Sequence, residues 1–143
     1  MSVISSSELI SRTRGIVTDR IFEGILLYGN LVQFTANTQY SAMTQYEVST
    51  NAGGYSRIEF TFDPTNIIET ATGASTQTRY LTWVHNGNAV PIEFDTILIV
   101  ERKFAQPLND YYVVATHSLG LTYTLVDAGD RARFAFRFNV KDK

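Results

Sequence analysis

The chain closes on RARFAFRFNVK, Arg131 to Lys141, in which Phe134, Phe136, Phe138 and Val140 alternate with Arg133, Ala135, Arg137 and Asn139. A period of two puts the four apolar side chains on one face of a strand and the polar ones on the other. Alternation also runs through RYLTWVHNGNAVPIEF, by way of Tyr80, Thr82 and Val84, and resumes after Asn86-Gly87-Asn88. This predicts a hairpin. YEVSTNAGGYSRIEFTFD predicts a second hairpin around Asn51-Ala52-Gly53-Gly54, with Ile58, Phe60 and Phe62 on one face. The unbroken apolar run Ile97, Leu98, Ile99, Val100 in FDTILIVERKF predicts a central strand buried on both sides. AQPLND reads as a turn. YYVVATH, LTYTLVDAG and RARFAFRFNV then read as three more strands, joined at Ser118-Leu119-Gly120 and Asp127-Ala128-Gly129-Asp130. TNIIETATGASTQT is rich in Thr and Ser and reads as a long loop, suited to a contact surface or to flexibility.

The start of the chain differs. In SSELISRTRGIVTDRIFEGILL the apolar residues Leu9, Ile10, Ile16, Val17, Ile21 and Ile25 fall close to helical spacing. Ser6 or Ser7 can cap a helix there. Gly15 and the β-branched pairs oppose it, so a short helix and an extended arm docking on a neighbour both stand. LLYGNLVQF, with Gly29-Asn30 between apolar runs, reads as a hairpin or a helix end. The expectation is one all-β domain over residues 1–143, an antiparallel β-sandwich or jelly roll. Residues 1–27 form its N-terminal arm or helix and residues 40–143 its β core.

Composition narrows the function classes. Apolar residues make up 44% of the 143 and charged residues only 18%, so the chain is a folding sequence with a surface rich in Ser, Thr, Asn and Gln. The 12 basic and 14 acidic residues give a net charge of −2, so no global basic field for nucleic acid is present. The absence of cysteine excludes disulfides, thiolate metal sites and a cysteine nucleophile. No apolar run approaches the ~18 residues that span a membrane, and MSVISSSELISRTRG lacks the basic start and apolar core of a signal peptide.

Candidate chemistry is sparse. His85 and His117 lie in different strands without metal-ligand spacing, and His85 beside Asn86-Gly87 reads as a surface or turn histidine. Glu93 and Asp95 flank Phe94 and share a face. Such a pair could serve glycoside hydrolysis or calcium, but neither a cleft nor a dense run of Asp and Asn accompanies it, so a solvated strand edge is the favoured reading. No G-x-S-x-G elbow exists, and Gly53-Gly54 is no phosphate loop. The expectation is therefore no catalytic residue, no metal site and no cofactor.

Arg131, Arg133 and Arg137 share the polar face of the closing strand. Single-strand nucleic-acid binders set aromatic and basic groups on one face. Here they lie on opposite faces, so the phenylalanines belong to the core and the arginines form an exposed ladder. Such a ladder repels itself unless acids face it. Asp127 and Asp130 are the local candidates, and a partner subunit is the alternative source, because arginine suits bidentate pairing at interfaces.

FDTILIVERKF followed by YYVVATHSLGLTYTLVDAG, with Thr/Asn/Gln-rich loops and a leaderless start, resembles the small β-rich virion proteins of tailed bacteriophages. These include head decoration (cement) proteins and tail or neck components. The resemblance implies a non-enzymatic structural subunit in the virion, assembled in the host cytoplasm. It would contact the major capsid or tail protein, commonly as a homo-oligomer, with no nucleic acid or membrane as partner. A carbohydrate-binding β-sandwich is the other reading, with Trp83, Tyr80 and Tyr112 as sugar-stacking aromatics.

Overall fold

The structure is a computed structural model, and it describes residues 20–29, 34–35, 37–62, 67–70, 73–102 and 111–141. It is an all-β fold with antiparallel sheets. The strands in chain order are β1 (Ile21–Leu27), β2 (Ile58–Phe60), β3 (Ile67–Thr70), β4 (Gly73–Thr76), β5 (Arg79–Val84), β6 (Ile92–Arg102), β7 (Tyr111–Leu125), β8 (Arg131–Phe136) and β9 (Asn139–Lys141). A short helix, α1 (Tyr40–Met43), runs into a 3-10 turn at Thr44–Tyr46.

The largest sheet has the order β2-β1-β6-β7. β6 lies inside it, with Ile92, Phe94 and every residue from Asp95 to Val100 buried. This is the double-sided burial that its unbroken apolar run predicts. Alternate residues of β1 and β6 supply two separate apolar layers, the parity of β6 changing at the irregularity after Phe94. Phe22, Leu26, Phe94, Ile97 and Ile99 face the β5–β8 ribbon through Leu81, Trp83 and Ala132. Ile25, Leu27, Leu98 and Val100 face the other way, toward Met43, Phe34, Tyr40 and Tyr111. Gly24 permits the ribbon to close on β1, since a Cβ there would stand 2.7 Å from Leu81 Cδ1.

Several expectations are corrected. Ile21–Leu27 is no arm or helix but an inner strand, paired with β2 on one side and β6 on the other. Its IFEGILL run is apolar on both faces, and that erases the period of two and mimics helical spacing. Residues 1–19 lie outside the described residues. Among the described residues the β core already includes Ile21–Leu27 rather than starting at residue 40, and Tyr40 opens a helix. Neither predicted hairpin forms. β2 pairs with β1, β5 pairs with β8, and β6 pairs with β1 and β7. The Thr/Ser-rich loop contains a real strand pair, β3 with β4, in the register Ile67↔Thr76 to Thr70↔Gly73.

Ser118-Leu119-Gly120 is not a connection. β7 runs through it as one 15-residue strand, in which Ser118 is paired and Leu119 and Gly120 open a bulge. Thr96 pairs with Ser118 and Phe94 with Tyr123, so Leu119 to Thr122 stand opposite the single residue Asp95. RARFAFRFNVK, conversely, divides at Arg137–Phe138 into β8, which pairs with β5, and β9, which pairs with β4. The division leaves the aromatic face intact. Phe136 and Phe138 remain 5.3 Å apart, and both pack on Phe62. The predicted AQPLND turn lies outside the described residues.

Candidate functional site

The β5–β8 ribbon carries Ala132, Leu81 and Trp83 inward and Arg131, Arg133, Thr82, Tyr80 and Val84 outward. Arg131 lies across from Val84, Arg133 across from Thr82, and exposed Arg137 follows at the end of β8. Arg133 stacks its guanidinium on Tyr80, with Cζ 3.9 Å from the ring centroid. That contact replaces part of the ladder's missing anionic partner by the negative face of a ring. Among the described residues, no carboxylate forms an ion pair with Arg131, Arg133 or Arg137. Asp130 is occupied elsewhere: its Oδ2 accepts the backbone N–H groups of Asp127 at 2.9 Å and Val126 at 3.0 Å. These two donors hold its carboxyl below the usual range. Of the acids proposed from the sequence as local partners, the Asp130 carboxylate thus shapes the turn before β8, and neither Asp127 nor Asp130 pairs with the arginines.

The cations of the large sheet are arranged in the opposite way. Arg57 grips Glu47 with two parallel bonds, Nε to Oε2 at 2.9 Å and Nη2 to Oε1 at 2.8 Å. Its Nη1 donates to Tyr40 Oη at 2.8 Å and lies 3.4 Å from Oε1 of the buried Glu23. Arg102 donates to Glu23 Oε2 at 2.7 Å and also pairs with Glu59. Arg20 pairs with Glu101 at 3.1 Å. The Arg57 guanidinium lies near Tyr40 and Tyr111, two rings stacked 4.9 Å apart. Tyr55 completes the network by donating to Glu47 Oε2 at 2.9 Å while accepting Leu26 N–H at 3.2 Å. The network ties residues 47–57 to β1, along whose edge the Leu27–Glu47 bridge and the Val48 N–H to Leu26 carbonyl bond also run.

The network implies an alkaline limit to stability. Burial first, and the negative Glu47 second, push the Tyr55 hydroxyl far above the ordinary tyrosine range. Burial also raises Tyr40. In the unfolded chain both ionise near pH ~10. Folded Tyr55 keeps its proton there, so its contribution is complete below that pH. It falls as pH rises further, because only the unfolded state gives up the proton. Urea titrations from neutral to strongly alkaline pH are expected to show a declining midpoint above pH ~10, and Tyr55→Phe should flatten the decline. An unchanged slope in Tyr55→Phe would assign the loss to other groups.

The remaining sequence candidates do not converge. His85 is buried, not a surface residue: its Nδ1 accepts Gly87 N–H at 2.9 Å, and its Nε2 lies 2.9 Å from the Val90 carbonyl. Both ring nitrogens serve the loop. Asp95 is also buried, accepting Gly29 N–H at 2.8 Å and Thr96 Oγ1–H at 2.9 Å, so the solvated-edge reading fails for it. Glu93 is half-buried. Among the described residues, no three His, Asp or Glu side chains gather as a metal site requires. Trp83 is buried, with Nε1 donating to the Ser56 carbonyl at 3.0 Å, which removes it from any sugar-stacking trio. Tyr80 and Tyr112 are exposed but belong to different sheets.

One surface escaped the sequence reading. β7 forms the end of the large sheet, and from Val113 to Leu125 it is mostly exposed, with Val113, Leu121 and Tyr123 among the exposed apolar side chains. Beside it lies a cleft of about 370 Å³ lined chiefly by Leu81, Ile97, Ile99, Ala115, Phe134 and Phe136. The signal was present in the sequence: Tyr111 to Val126 contains no Lys, Arg, Asp, Glu or Pro. Dividing that stretch at Ser118-Leu119-Gly120 hid it. Compared with protein families, curated proteins and solved structures, the chain matches none.

Proposed function

We propose that this chain is a non-enzymatic structural subunit of β-sandwich type, acting through contacts with other protein subunits. In the setting that the sequence resemblance implies, the assembly is a bacteriophage virion and the partner its capsid or tail protein. The observation that carries the proposal is the outward arginine face of the ribbon. Arg57, Arg102 and Arg20 each pair with carboxylates, whereas Arg131, Arg133 and Arg137 have none among the described residues. A strand pair holding the Arg131 and Arg133 guanidinium groups in register, with Arg137 just past its end, is preorganised for carboxylates on a partner. Arg133 on Tyr80 adds the Arg-Tyr pairing typical of interface anchors.

The test is a double charge reversal, Arg133→Glu with Arg137→Glu. Both side chains are exposed, so the fold and thermal midpoint should change little. Assembly followed by light scattering should fail, because each reversal sets a carboxylate against the partner's acids. Unimpaired assembly would reduce the ladder to a solvated face. In parallel, wild-type chain and labelled DNA should show no anisotropy change at physiological salt; tight binding that weakens steeply with salt would transfer the face to nucleic-acid recognition. Specific signals on a glycan array would instead favour the carbohydrate-binding reading.

A further inference from the structure

We propose that the free edge of β7 is a self-association surface, on which β7 of a second copy of this chain adds antiparallel and extends the large sheet across a dyad. This inference rests on the structural-subunit reading and names a partner and contact for it. Among the described residues, β7 pairs only with β6, and no strand occupies its other edge along Val113–Leu125. Exposed edges of natural sheets are commonly guarded by short length, charge or proline. The opposite edge of this sheet, β2, is guarded in that way: it has three residues, and its Glu59 is paired with Arg102. β7 has 15 residues and carries no formal charge and no proline.

The choice of a second copy follows from this charge pattern. An antiparallel dyad sets β7 against itself, and a strand without Lys, Arg, Asp or Glu meets no like charge in any register. Pairing with β2 of another copy would oppose an uncharged strand to the Glu59–Arg102 pair and would gain at most three residues of ladder. Thr116, Thr122 and Thr124 supply β-favouring exposed positions between the apolar ones. The bulge at Leu119 to Thr122 divides the edge into two arms, the first of which carries a second irregularity at Val114, so each arm offers its own ladder. The half-buried rings of Phe134 and Phe136, in the cleft beside Ala115, give an added strand apolar surface to cover.

The chain contains no cysteine, which makes a single-cysteine scan unambiguous. Cysteines placed one at a time at Val113, Thr116, Thr122 and Thr124 should cross-link under mild oxidation only near the dyad, because a disulfide requires Cβ atoms within about 4.5 Å. Cross-linking should therefore peak at one position and vanish away from it. Thr116→Lys with Thr122→Lys should halve the mass measured by sedimentation to the 16.1 kDa of one chain, with an unchanged circular dichroism spectrum. A wild type that stays at 16.1 kDa at every concentration overturns the inference. So does a wild type that self-associates yet gives no cross-link along β7 and ignores the lysines; in that case the subunit reading stands. If β7 cross-links while the Arg133→Glu/Arg137→Glu chain assembles normally, the β7 contact holds and the arginine-face reading falls.

Discussion

Phe22→Ala is expected to destabilise the protein by about 3–5 kcal/mol, the range for removing a fully buried aromatic ring from a core. Phe22 sits on the inner strand β1 with its ring centroid 5.2 Å from Phe138, 5.6 Å from Phe60 and 5.8 Å from Phe62. Truncation would leave those three rings facing a cavity that a sheet paired on both sides of β1 cannot collapse to fill. The loss is a large share of the ~5–15 kcal/mol that holds a domain folded. Phe136→Ala is the comparison. Its ring touches Phe60, Phe62 and Phe138 but is only partly buried, so on the order of 2 kcal/mol is expected. Urea midpoints of the two variants test the ranking. A Phe22→Ala chain as stable as Phe136→Ala would mean that the segment before residue 28 is peripheral, as its sequence suggested.

That segment shows where pattern reading stops. Alternation exposes a strand only if one face is wet. β5 and β8 have a wet face, and the Arg/Phe alternation of β8 locates its inward and outward side chains correctly. β6 has none, yet its four consecutive aliphatics identify it. β1 also has none, but Glu23 and Gly24 interrupt the run. Glu23 can be buried there only because Arg57 and Arg102, 34 and 79 residues away in sequence, neutralise it. No local window contains that information.

Strand partners were equally hidden. Asn-Gly next to alternating runs is a strong hairpin signal, and at Asn86-Gly87 it marks a real turn. The strands on either side nevertheless separate, β5 to β8 and β6 into the large sheet. Turn chemistry fixes where a chain reverses, whereas pairing follows from which faces must be buried together. The candidate site was legible in part for the same reason. The arginine ladder is a local feature and could be read off. The lack of partners among Asp127 and Asp130 could not, because it depends on the Asp130 carboxylate turning back to its own loop.

Gly53→Ala should be almost as damaging as the loss of Phe22, although it adds one methyl group. Gly53 has φ +54, in the left-handed region that costs a side-chain-bearing residue ~1–2 kcal/mol. A Cβ there would overlap His85 Cδ2 and lie 2.8 Å from both His85 Nε2 and Ile92 Cγ1. None of these can retreat easily. Ile92 is fully buried, and His85 is tied through its two nitrogens to Gly87 and Val90. The two loops that the sequence marks as separate hairpin turns are clasped to each other. Asn86 N–H donates to the Gly53 carbonyl at 2.9 Å, Gly53 N–H donates to Asn88 Oδ1 at 3.1 Å, and Asn88 Nδ2 donates to the Asn51 carbonyl at 2.9 Å. Displacing His85 therefore unseats the clasp and strips hydrogen bonds from buried groups, each costing ~1–3 kcal/mol. The expected total is roughly 3 kcal/mol or more. Gly29→Ala supplies the control, since its φ of +98 is also positive but a Cβ there meets only Tyr46 Cδ1 at 3.9 Å. It should show the backbone cost alone. Equal losses in the two variants would refute the clash with His85 and leave the clasp without a role in stability.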